Sequence, residues 1–292
     1  MKPAPFRYHA PKTVEEAVET LAEVAPEDGR VLAGGQSLVP MMNFRLATPA
    51  AIIDLNRIPG LDKIELTDGT LRIGAMARQR RLEFAPAVAE KLPLLGEALG
   101  WVGHLPTRTR GTIGGSIAHA DPAAEIPMVL QALSGEVVVR GTQGERRIAA
   151  PDLFVAPLTT ALEPDEILTE VRFPVIPPGA GYAIEEFARR KGDFAIAAIA
   201  VMLVREGERC ATAHLATAGI GPVSVRLSEA ENILKQRGLG EDAVAAAAQR
   251  AAELVEPMAD HNASADFRRH LTGVLTRRAV LKARDRQNVR TG

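Results

Sequence analysis

The sequence predicts an α+β protein, and three of its patterns indicate this class. Residues 13–16 match a helix capping box, Thr-x-x-Glu, and a helical apolar face follows directly. Short apolar runs at 30–33 and 51–55 predict strands, and a glycine turn follows the first of them. Two longer runs, 195–204 and 209–218, predict a pair of strands near the C-terminus. Strands and helices are therefore both expected in every part of the chain.

The other elements follow in order along the chain. Periodicity and composition predict strands at 71–75, 135–140 and 167–173, and helices at 88–101 and from Asp121 onward. A second capping-box pattern, beginning at Ser228, opens the C-terminal helices.

The length of 292 residues indicates about two domains, at roughly 150 residues each. Proline and glycine interrupt any regular pattern at 174–181, which makes this run the best linker candidate. With a compact βα-then-β unit at the start, these features divide the chain into 1–57, 58–176 and 177–292.

Charge and cysteine content exclude several functional classes. Lysine plus arginine number 35 against 36 aspartate plus glutamate, so the chain has no general attraction for nucleic acid or an anionic membrane. The single cysteine, Cys210, excludes internal disulfides, and also any iron–sulfur cluster or cysteine-rich zinc site made by this chain alone. No run approaches the roughly 20 apolar residues of a membrane span, so we expect a soluble, cytoplasmic protein.

Two glycine loops with the same chemistry lie far apart in the sequence, at 33–37 and 112–116. Each places two adjacent glycines before a hydroxyl residue, directly or one position later. Adjacent glycines let backbone N–H groups point to one side and let an anion approach without interference from a Cβ atom. Neither loop has the P-loop lysine or the full G-x-G-x-x-G spacing, which favours holding a phosphate over transferring one. One Gly-Gly pair is most often a tight turn, whereas two such loops favour a pyrophosphate site.

At these loops the sequence resembles the FAD-binding medium subunits of molybdenum hydroxylases, the family of the carbon monoxide dehydrogenase medium chain and the xanthine dehydrogenase flavin domain. Five ordered segments carry the resemblance across essentially the whole chain: LAGGQSLVP (32–40), RGTIGGS (110–116), AHADPAAE (118–125), ILTEVRFP (167–174) and RRKGDFA (189–195). The family commonly has histidine in place of Gln36 and asparagine in place of Ser116, and both residues retain hydrogen-bonding capacity. AHADPAAE looks more like the aromatic N-heterocycle and aldehyde hydroxylases of the family.

The resemblance implies a two-part FAD-binding fold of the PCMH/vanillyl-alcohol-oxidase type, made by 1–57 and 58–176, followed by a C-terminal three-stranded sheet with helices. Both loops would bind the FAD pyrophosphate through backbone N–H groups, and Glu125 would accept hydrogen bonds from FAD hydroxyls. Lys191 would lie near the flavin edge, where a cation stabilises the reduced, anionic form. The expected FAD-binding residues are Leu32, Ala33, Gly34, Gly35, Gln36, Ser37, Leu38, Val102, Thr112, Ile113, Gly114, Gly115, Ser116, Glu125, Ile167, Leu168 and Lys191.

The same resemblance implies a division of labour among several chains. This chain would hold FAD non-covalently, whereas a molybdopterin large subunit and an iron–sulfur small subunit would carry the molybdenum cofactor and the [2Fe-2S] clusters. Electrons taken from the substrate would reach FAD through the iron–sulfur subunit and leave for an external acceptor. We therefore expect the flavoprotein subunit of a dehydrogenase, assembled as a dimer of heterotrimers, with no catalytic residue and no metal ligand of its own.

Three other hypotheses remain open from the sequence. A self-contained flavin oxidoreductase would bind its own organic substrate and turn over alone. A metal hydrolase would use His119, Asp121 and Glu125, although no second histidine lies near them and neither G-x-S-x-G nor H-E-x-x-H occurs. A scaffold that has lost its flavin is the third hypothesis, and the intact glycines argue against it.

Overall fold

The computed structural model describes residues 2–207 and 209–290, and it has the α+β architecture predicted from the sequence. Met1, Glu208, Thr291 and Gly292 belong to the first and last predicted domains and lie outside the described residues. Three groups of elements follow one another along the chain, each built on its own principal sheet. In the part of the chain that the structure describes, no helix is both long and apolar enough to cross a bilayer.

The first group is a three-stranded parallel sheet in the order β1-β3-β2, with two helices. Its elements are β1 (Arg7–His9), α1 (Val14–Val24), β2 (Gly29–Leu32), α2 (Leu38–Asn43) and β3 (Ala51–Asp54). The predicted start of α1 is confirmed, because Thr13 Oγ1 accepts a hydrogen bond from the Glu16 amide at 3.1 Å. The apolar side of α1 packs against β3 and forms the core of this group.

The second group is a five-stranded antiparallel sheet in the order β4-β5-β10-β6-β7, with helices on its apolar face and a small β8-β9 ribbon. Its elements are β4 (Ile64–Thr67), β5 (Thr70–Gly74), α3 (Gln79–Glu83), α4 (Pro86–Lys91), α5 (Pro93–Leu99), α6 (Leu105–Arg110), α7 (Ile113–His119), α8 (Glu125–Ala132), β6 (Glu136–Gly141), β7 (Gly144–Ala149), α9 (Ala150–Leu153), β8 (Phe154–Ala156), β9 (Thr159–Thr160) and β10 (Ile167–Pro174). The helix predicted at 88–101 is two helices, because Leu92 leaves the helical conformation before Pro93 and Pro93 begins the next helix.

The central strand β10 connects two cores. Its side chains alternate between the two faces of the sheet, so Ile167 joins the core of the first group and Leu168 joins the core of the second. The pairing of β10 with β6 shifts by one residue between Leu168 and Glu170, which leaves Thr169 as a bulge.

The third group is an antiparallel sheet in the order β11-β12-β13, packed between the helices of the second group and three helices of its own. Its elements are β11 (Gly181–Phe187), β12 (Ala197–Glu206), β13 (Arg209–Ala218), α10 (Ser228–Arg237), α11 (Glu241–Leu254) and α12 (Ala265–Arg290). The predicted strand pair is β12 with β13, so the three-stranded C-terminal sheet is confirmed. His214 Nδ1, on the inner face of β13, lies 2.8 Å from the carbonyl oxygen of Ala132 at the end of α8.

The helix predicted to begin at Asp121 begins four residues later. α8 starts at Glu125, and Asp121 instead forms a turn, in which its Oδ1 accepts a hydrogen bond from the Ala123 amide at 2.9 Å. An aspartate side chain bonds its own backbone two residues on as readily as it caps a helix, and here the turn forms.

The second predicted capping box is wrong, although α10 does begin at Ser228. Leu227 and not Ser228 is the residue before the helix, and its side chain makes no capping hydrogen bond. Glu231, the expected capping partner, is 3% exposed and accepts hydrogen bonds from the Leu215 amide at 2.8 Å and from Arg226 at 2.6 Å. Partners on β13 and on the chain before the helix therefore occupy the carboxylate that a capping box would use.

Candidate functional site

The fold brings the two glycine segments into contact. A Cβ atom on Gly34 would lie 2.4 Å from the carbonyl oxygen of Arg110 and 2.8 Å from the Cα of Gly111. A Cβ atom on Gly115 would lie 3.3 Å from the Cβ of Ala33. Glycine is needed at these positions because the backbones of the first and second groups approach so closely.

The first glycine segment presents a row of unpaired backbone amides. β2 ends at Leu32, so the segment leaves the sheet at the carboxyl edge of a parallel strand. Across residues 2–207 and 209–290, no acceptor is found for the N–H groups of residues 34, 35, 36 and 37. Gly35 has a φ of 73°, a conformation that glycine adopts at no steric cost. This row suits an anion that supplies several oxygen acceptors.

The second glycine segment is the first turn of α7, and this differs from the predicted loop. Thr112 is the residue before the helix, and the amides of 113, 114, 115 and 116 all have protein acceptors. In that order the acceptors are Ala77 O, Ala75 O, Thr112 Oγ1 and Thr112 O, at 3.0, 2.9, 3.0 and 3.1 Å. These amides are therefore already used. What the segment offers a ligand is the half-buried Ser116 hydroxyl and its close packing against the first segment, because Thr112 is 1% exposed and its Oγ1 already accepts from the Gly115 amide.

A network of polar side chains connects the backbones of the two segments, and it was not predicted from the sequence. The backbone amide of Asn56 donates a hydrogen bond to Asp54 Oδ1 at 2.9 Å. Its side-chain Nδ2 donates to the carbonyl oxygen of Ala33, also at 2.9 Å. Arg78 donates to Asn56 Oδ1 at 2.5 Å and to the carbonyl oxygen of Arg110. Burial lowers the pKa of Arg78, and the charge of Arg110 lowers it further. The signal in the sequence was Asp-x-Asn at the end of a parallel strand, where polar side chains gather.

Glu125 is a buried acid without a partner residue. It is the first residue of α8 and is 7% exposed. Burial raises its pKa to about 7; its own backbone amide and Arg108 act in the opposite direction, and Asp121 adds to the rise. Among the described residues, its own backbone amide is the one hydrogen-bond donor to this carboxylate. A buried carboxyl group in this condition is a candidate ligand for hydroxyl or N–H donors.

The segments that carry Val102 and Lys191 lie beside each other. A Cβ atom on Gly192, where φ is 92°, would lie 2.5 Å from the ring of His104 and 3.0 Å from the carbonyl oxygen of Gly103. Val102 is buried and Lys191 is exposed at this junction. α6 runs from here to the glycine segments, a length of about 9 Å for its six residues.

The other predicted site residues lie around the first glycine segment or in the cores beside it. Leu32, Ala33, Ser37 and Leu38 are half-buried around the first segment, and the exposed Gln36 donates from Nε2 to the carbonyl oxygen of Gly34 at 3.3 Å. Ile167 and Leu168 are 2% and 5% exposed and belong to different cores. Only one of these two side chains can therefore face a given ligand ring.

The described residues contain no group of three histidine, cysteine, aspartate or glutamate side chains placed to hold a metal ion. His119, Asp121 and Glu125 are thus not assembled as a ligand set. Cys210 is buried, and burial raises the pKa of its thiol to about 11. A thiol in this environment stays protonated and unreactive at neutral pH.

Two family models together match nearly the whole chain. The model described as "FAD binding domain in molybdopterin dehydrogenase" matches residues 4–176, and "CO dehydrogenase flavoprotein C-terminal domain" matches residues 182–283. The fold and the paired glycine segments define a flavoprotein of this type. The chain belongs to the FAD-binding medium subunits of the molybdenum hydroxylases, which are flavoprotein subunits of multi-subunit oxidoreductases.

Individual relatives agree over nearly their full length. The alpha subunit of the 6-hydroxypseudooxynicotine dehydrogenase complex of Paenarthrobacter nicotinovorans is 40% identical over 97% of this chain and 96% of its own. Caffeine dehydrogenase subunit beta of Pseudomonas sp. (strain CBB1) is 37% identical over 98% and 97%. A solved carbon monoxide dehydrogenase chain from Hydrogenophaga pseudoflava superimposes with a TM-score of 0.96 at 38% identity, covering 98% of this chain and 99% of that one.

Proposed function

We propose that this chain holds FAD non-covalently and passes electrons from iron–sulfur clusters on a partner chain to an external acceptor. One observation carries the cofactor part of this proposal: the unpaired amides of residues 34–37, beside the tightly packed second glycine segment. The pyrophosphate of FAD supplies oxygen acceptors for such amides, and backbone donors bind it without a bound cation. The buried and unpartnered Glu125 gives the same site an acceptor for hydroxyl groups.

Each predicted residue then has a role in holding the cofactor. Residues 34–37 donate amides, Ser116 offers a hydroxyl group, and residues 32–38 and 112–115 set the shape of the site. Glu125 accepts hydrogen bonds from FAD hydroxyls, and Val102, Ile167, Leu168 and Lys191 border the ring systems. FAD supplies the redox chemistry when bound, so the protein's residues have only to bind it, orient it and limit access to it.

The cluster-bearing partner follows from the cysteine content. Four thiolates hold a [2Fe-2S] cluster, whereas this chain has only the buried Cys210. We propose an iron–sulfur small subunit and a molybdopterin large subunit as partners, in a dimer of heterotrimers. A single protonated thiol also suits the reducing cytoplasm, which is where we place the complex.

We propose a division of the chain at 57 and 176, and the succession of three groups of elements supports it. Residues 1–57 and 58–176 would form the two halves of the FAD site, and each half contributes one glycine segment. Residues 177–292 would close the site with the Lys191 segment, through the packing of Gly192 on His104.

The substrate of the complex is proposed to bind on a partner chain. The relatives named for a nicotine derivative, for caffeine and for carbon monoxide are 40%, 37% and 38% identical to this chain. Relatives named for such different substrates therefore share nearly the same sequence identity with this chain. The medium subunit therefore does not select among them.

The absorbance spectrum of the purified chain tests the cofactor, and a second spectrum is recorded on the supernatant after heat denaturation. We expect flavin bands in the native protein and free FAD in the supernatant. A colourless chain that also fails to bind added FAD contradicts the proposal. Turnover of an organic substrate by the isolated chain, with a natural acceptor, would favour the self-contained oxidoreductase instead.

A further inference from the structure

Two arginines that form no ion pair lie at the junction of the two glycine segments. Residues 58–176 contain ten arginines, and eight of them form ion pairs with an aspartate or a glutamate. The eight are Arg72, Arg80, Arg81, Arg108, Arg140, Arg146, Arg147 and Arg172. The remaining two, Arg78 and Arg110, pair with no acid among the described residues, so positive charge is concentrated where the two segments meet.

Arg78 is half-buried and uses its donors on neutral acceptors. Its guanidinium group donates to Asn56 Oδ1 at 2.5 Å and to the backbone carbonyl oxygen of Arg110. Asp54 and Asp62 attract it through space without forming an ion pair with it. The Arg78 charge is therefore held beside the glycine segments and is not neutralised by contact with a carboxylate.

The side chain of Arg110 is free to bind a ligand. It is exposed, and it has no hydrogen-bond acceptor among the described residues. The backbone of the same residue lies against the first glycine segment, because a Cβ atom on Gly34 would be 2.4 Å from the Arg110 carbonyl oxygen. The row of unpaired amides begins at Gly34. An unpaired, solvent-accessible guanidinium group is thus attached at one end of this row.

The two cations repel each other when no anion is bound. Burial lowers the pKa of Arg78, and the charge of Arg110 lowers it further, so the two charges lie close enough to interact. An anion beside them would relieve this repulsion, and the amides of 34–37 would supply further donors to it. The planar fork of guanidinium N–H groups matches two phosphate oxygens at once.

We propose that the guanidinium group of Arg110 binds the FAD pyrophosphate directly, and that Arg78 holds the Arg110 backbone in place and adds positive charge. This inference rests on the proposed function, since it adds a charged ligand to the same site. Arg110 then provides the positive charge that a P-loop obtains from its lysine. The backbone amides and one side chain share the phosphate oxygens.

The test measures the FAD dissociation constant of the full chain at low and at high salt for wild type, Arg110→Gln and Arg110→Lys. We expect Arg110→Gln to bind about tenfold more weakly at low salt, because charge-assisted hydrogen bonds to phosphate are lost. Salt screens exposed charges, so wild-type binding should weaken at high salt, and Arg110→Gln should respond less. Arg110→Lys keeps the charge without the fork; its affinity should lie between the two, with the salt response of wild type.

Two controls separate binding from folding and from net charge. Arg237→Gln removes an exposed arginine from the last turn of α10 and should bind FAD like wild type. The free energy of unfolding of the cofactor-free Arg110→Gln chain should not fall, because the substitution removes one of two like charges.

Three outcomes would overturn the inference and leave the proposed function standing. The first is an Arg110→Gln chain that binds FAD like wild type at low salt. The second is an equal loss of affinity in Arg237→Gln, and the third is a fall in the unfolding free energy of Arg110→Gln together with its affinity. A wild-type chain that binds no FAD at either salt concentration overturns both the inference and the proposed function.

Discussion

At the scale of single residues, glycine serves two different purposes in this site. Gly35 is required by its backbone conformation, whereas Gly34 and Gly114 are required by space: a Cβ on Gly114 would lie 2.5 Å from the Cβ of Ala75. The first purpose shapes the row of unpaired amides, and the second lets one chain segment lie directly on another. Substitutions at the two kinds of position should therefore fail for different reasons.

Gly34→Ala should abolish FAD binding and lower the free energy of unfolding by about 1–3 kcal/mol, because the new Cβ would push against a backbone carbonyl that cannot move alone. The ratio of flavin to protein absorbance and a urea titration measure the two effects. Gly96→Ala is the matched control, since its Cβ would meet only Val88 Cγ1 at 3.8 Å. In this helical position alanine should retain FAD and stabilise slightly. A flavin-loaded Gly34→Ala chain would contradict the assignment of this contact.

At the scale of elements, helices are held by partners that are distant in sequence. Glu231 of α10 joins Arg226 and the backbone of β13, and Arg268 of α12 donates to the carbonyl oxygen of Ile196 at 2.6 Å, beside β12. Both side chains are under 7% exposed. These contacts attach the C-terminal helices to their sheet at defined points, in addition to apolar packing.

Glu231→Ala should lower the free energy of unfolding by about 3 kcal/mol, because it leaves Arg226 and a strand amide without their acceptor. Denaturant titration of the cofactor-free chain measures this change. Glu229→Ala on the same helix is the control; it removes an exposed ion pair with Arg250, and its midpoint should stay close to wild type. Equal effects from the two variants would show that Glu231 is no more than a surface acid.

How far the sequence predicted these elements depends on where their partners lie. The strands β12 and β13 and the start of α1 were predicted correctly, because alternation and a local cap are contained within the segment itself. The helix start at Asp121 and the capping box at Ser228 were wrong, since a turn forms in the first case and partners distant from the cap bind the Glu231 carboxylate in the second. Competition of this kind is decided by tertiary structure and leaves no local pattern.

For the candidate site, too, the sequence predicted features contained within one segment and missed those that depend on distant residues. The two glycine segments and Glu125 were identified from local composition and from the family resemblance. The difference between the segments was not, because two of the four acceptors of the second one, Ala75 and Ala77, come from a segment nearly 40 positions earlier. Asn56 and Arg78 were missed for the same reason: each connects parts of the chain that only the fold brings together.

At the scale of the whole molecule, the proposed FAD site lies where all three groups of elements meet. The first two groups contribute the glycine segments, and the third packs Gly192 against His104. A ligand bound at such a junction adds contacts between groups that are otherwise held together by protein–protein contacts alone. Its binding energy therefore adds to the stability of the entire chain.

FAD at a concentration 100-fold above its dissociation constant should raise stability by about 2.7 kcal/mol. For a chain of 292 residues, with an unfolding entropy of about 2.1 cal/mol/K per residue, the Tm should rise by about 4 °C. Differential scanning calorimetry of the cofactor-free chain with and without FAD measures the shift. Riboflavin, which lacks the pyrophosphate, should give a much smaller shift at the same concentration. An equal shift with riboflavin would remove the glycine segments from the binding site.

The unpaired amides of residues 34–37 have a consequence for how the chain acquires its cofactor. Backbone N–H groups that lack a protein acceptor are hydrated, so water covers this row before FAD arrives. At this row, loading is then an exchange of these waters for phosphate oxygens. Inorganic pyrophosphate and nucleoside diphosphates carry the same group. They should compete with FAD for the newly folded chain, so the order of loading depends on their relative concentrations in the cell.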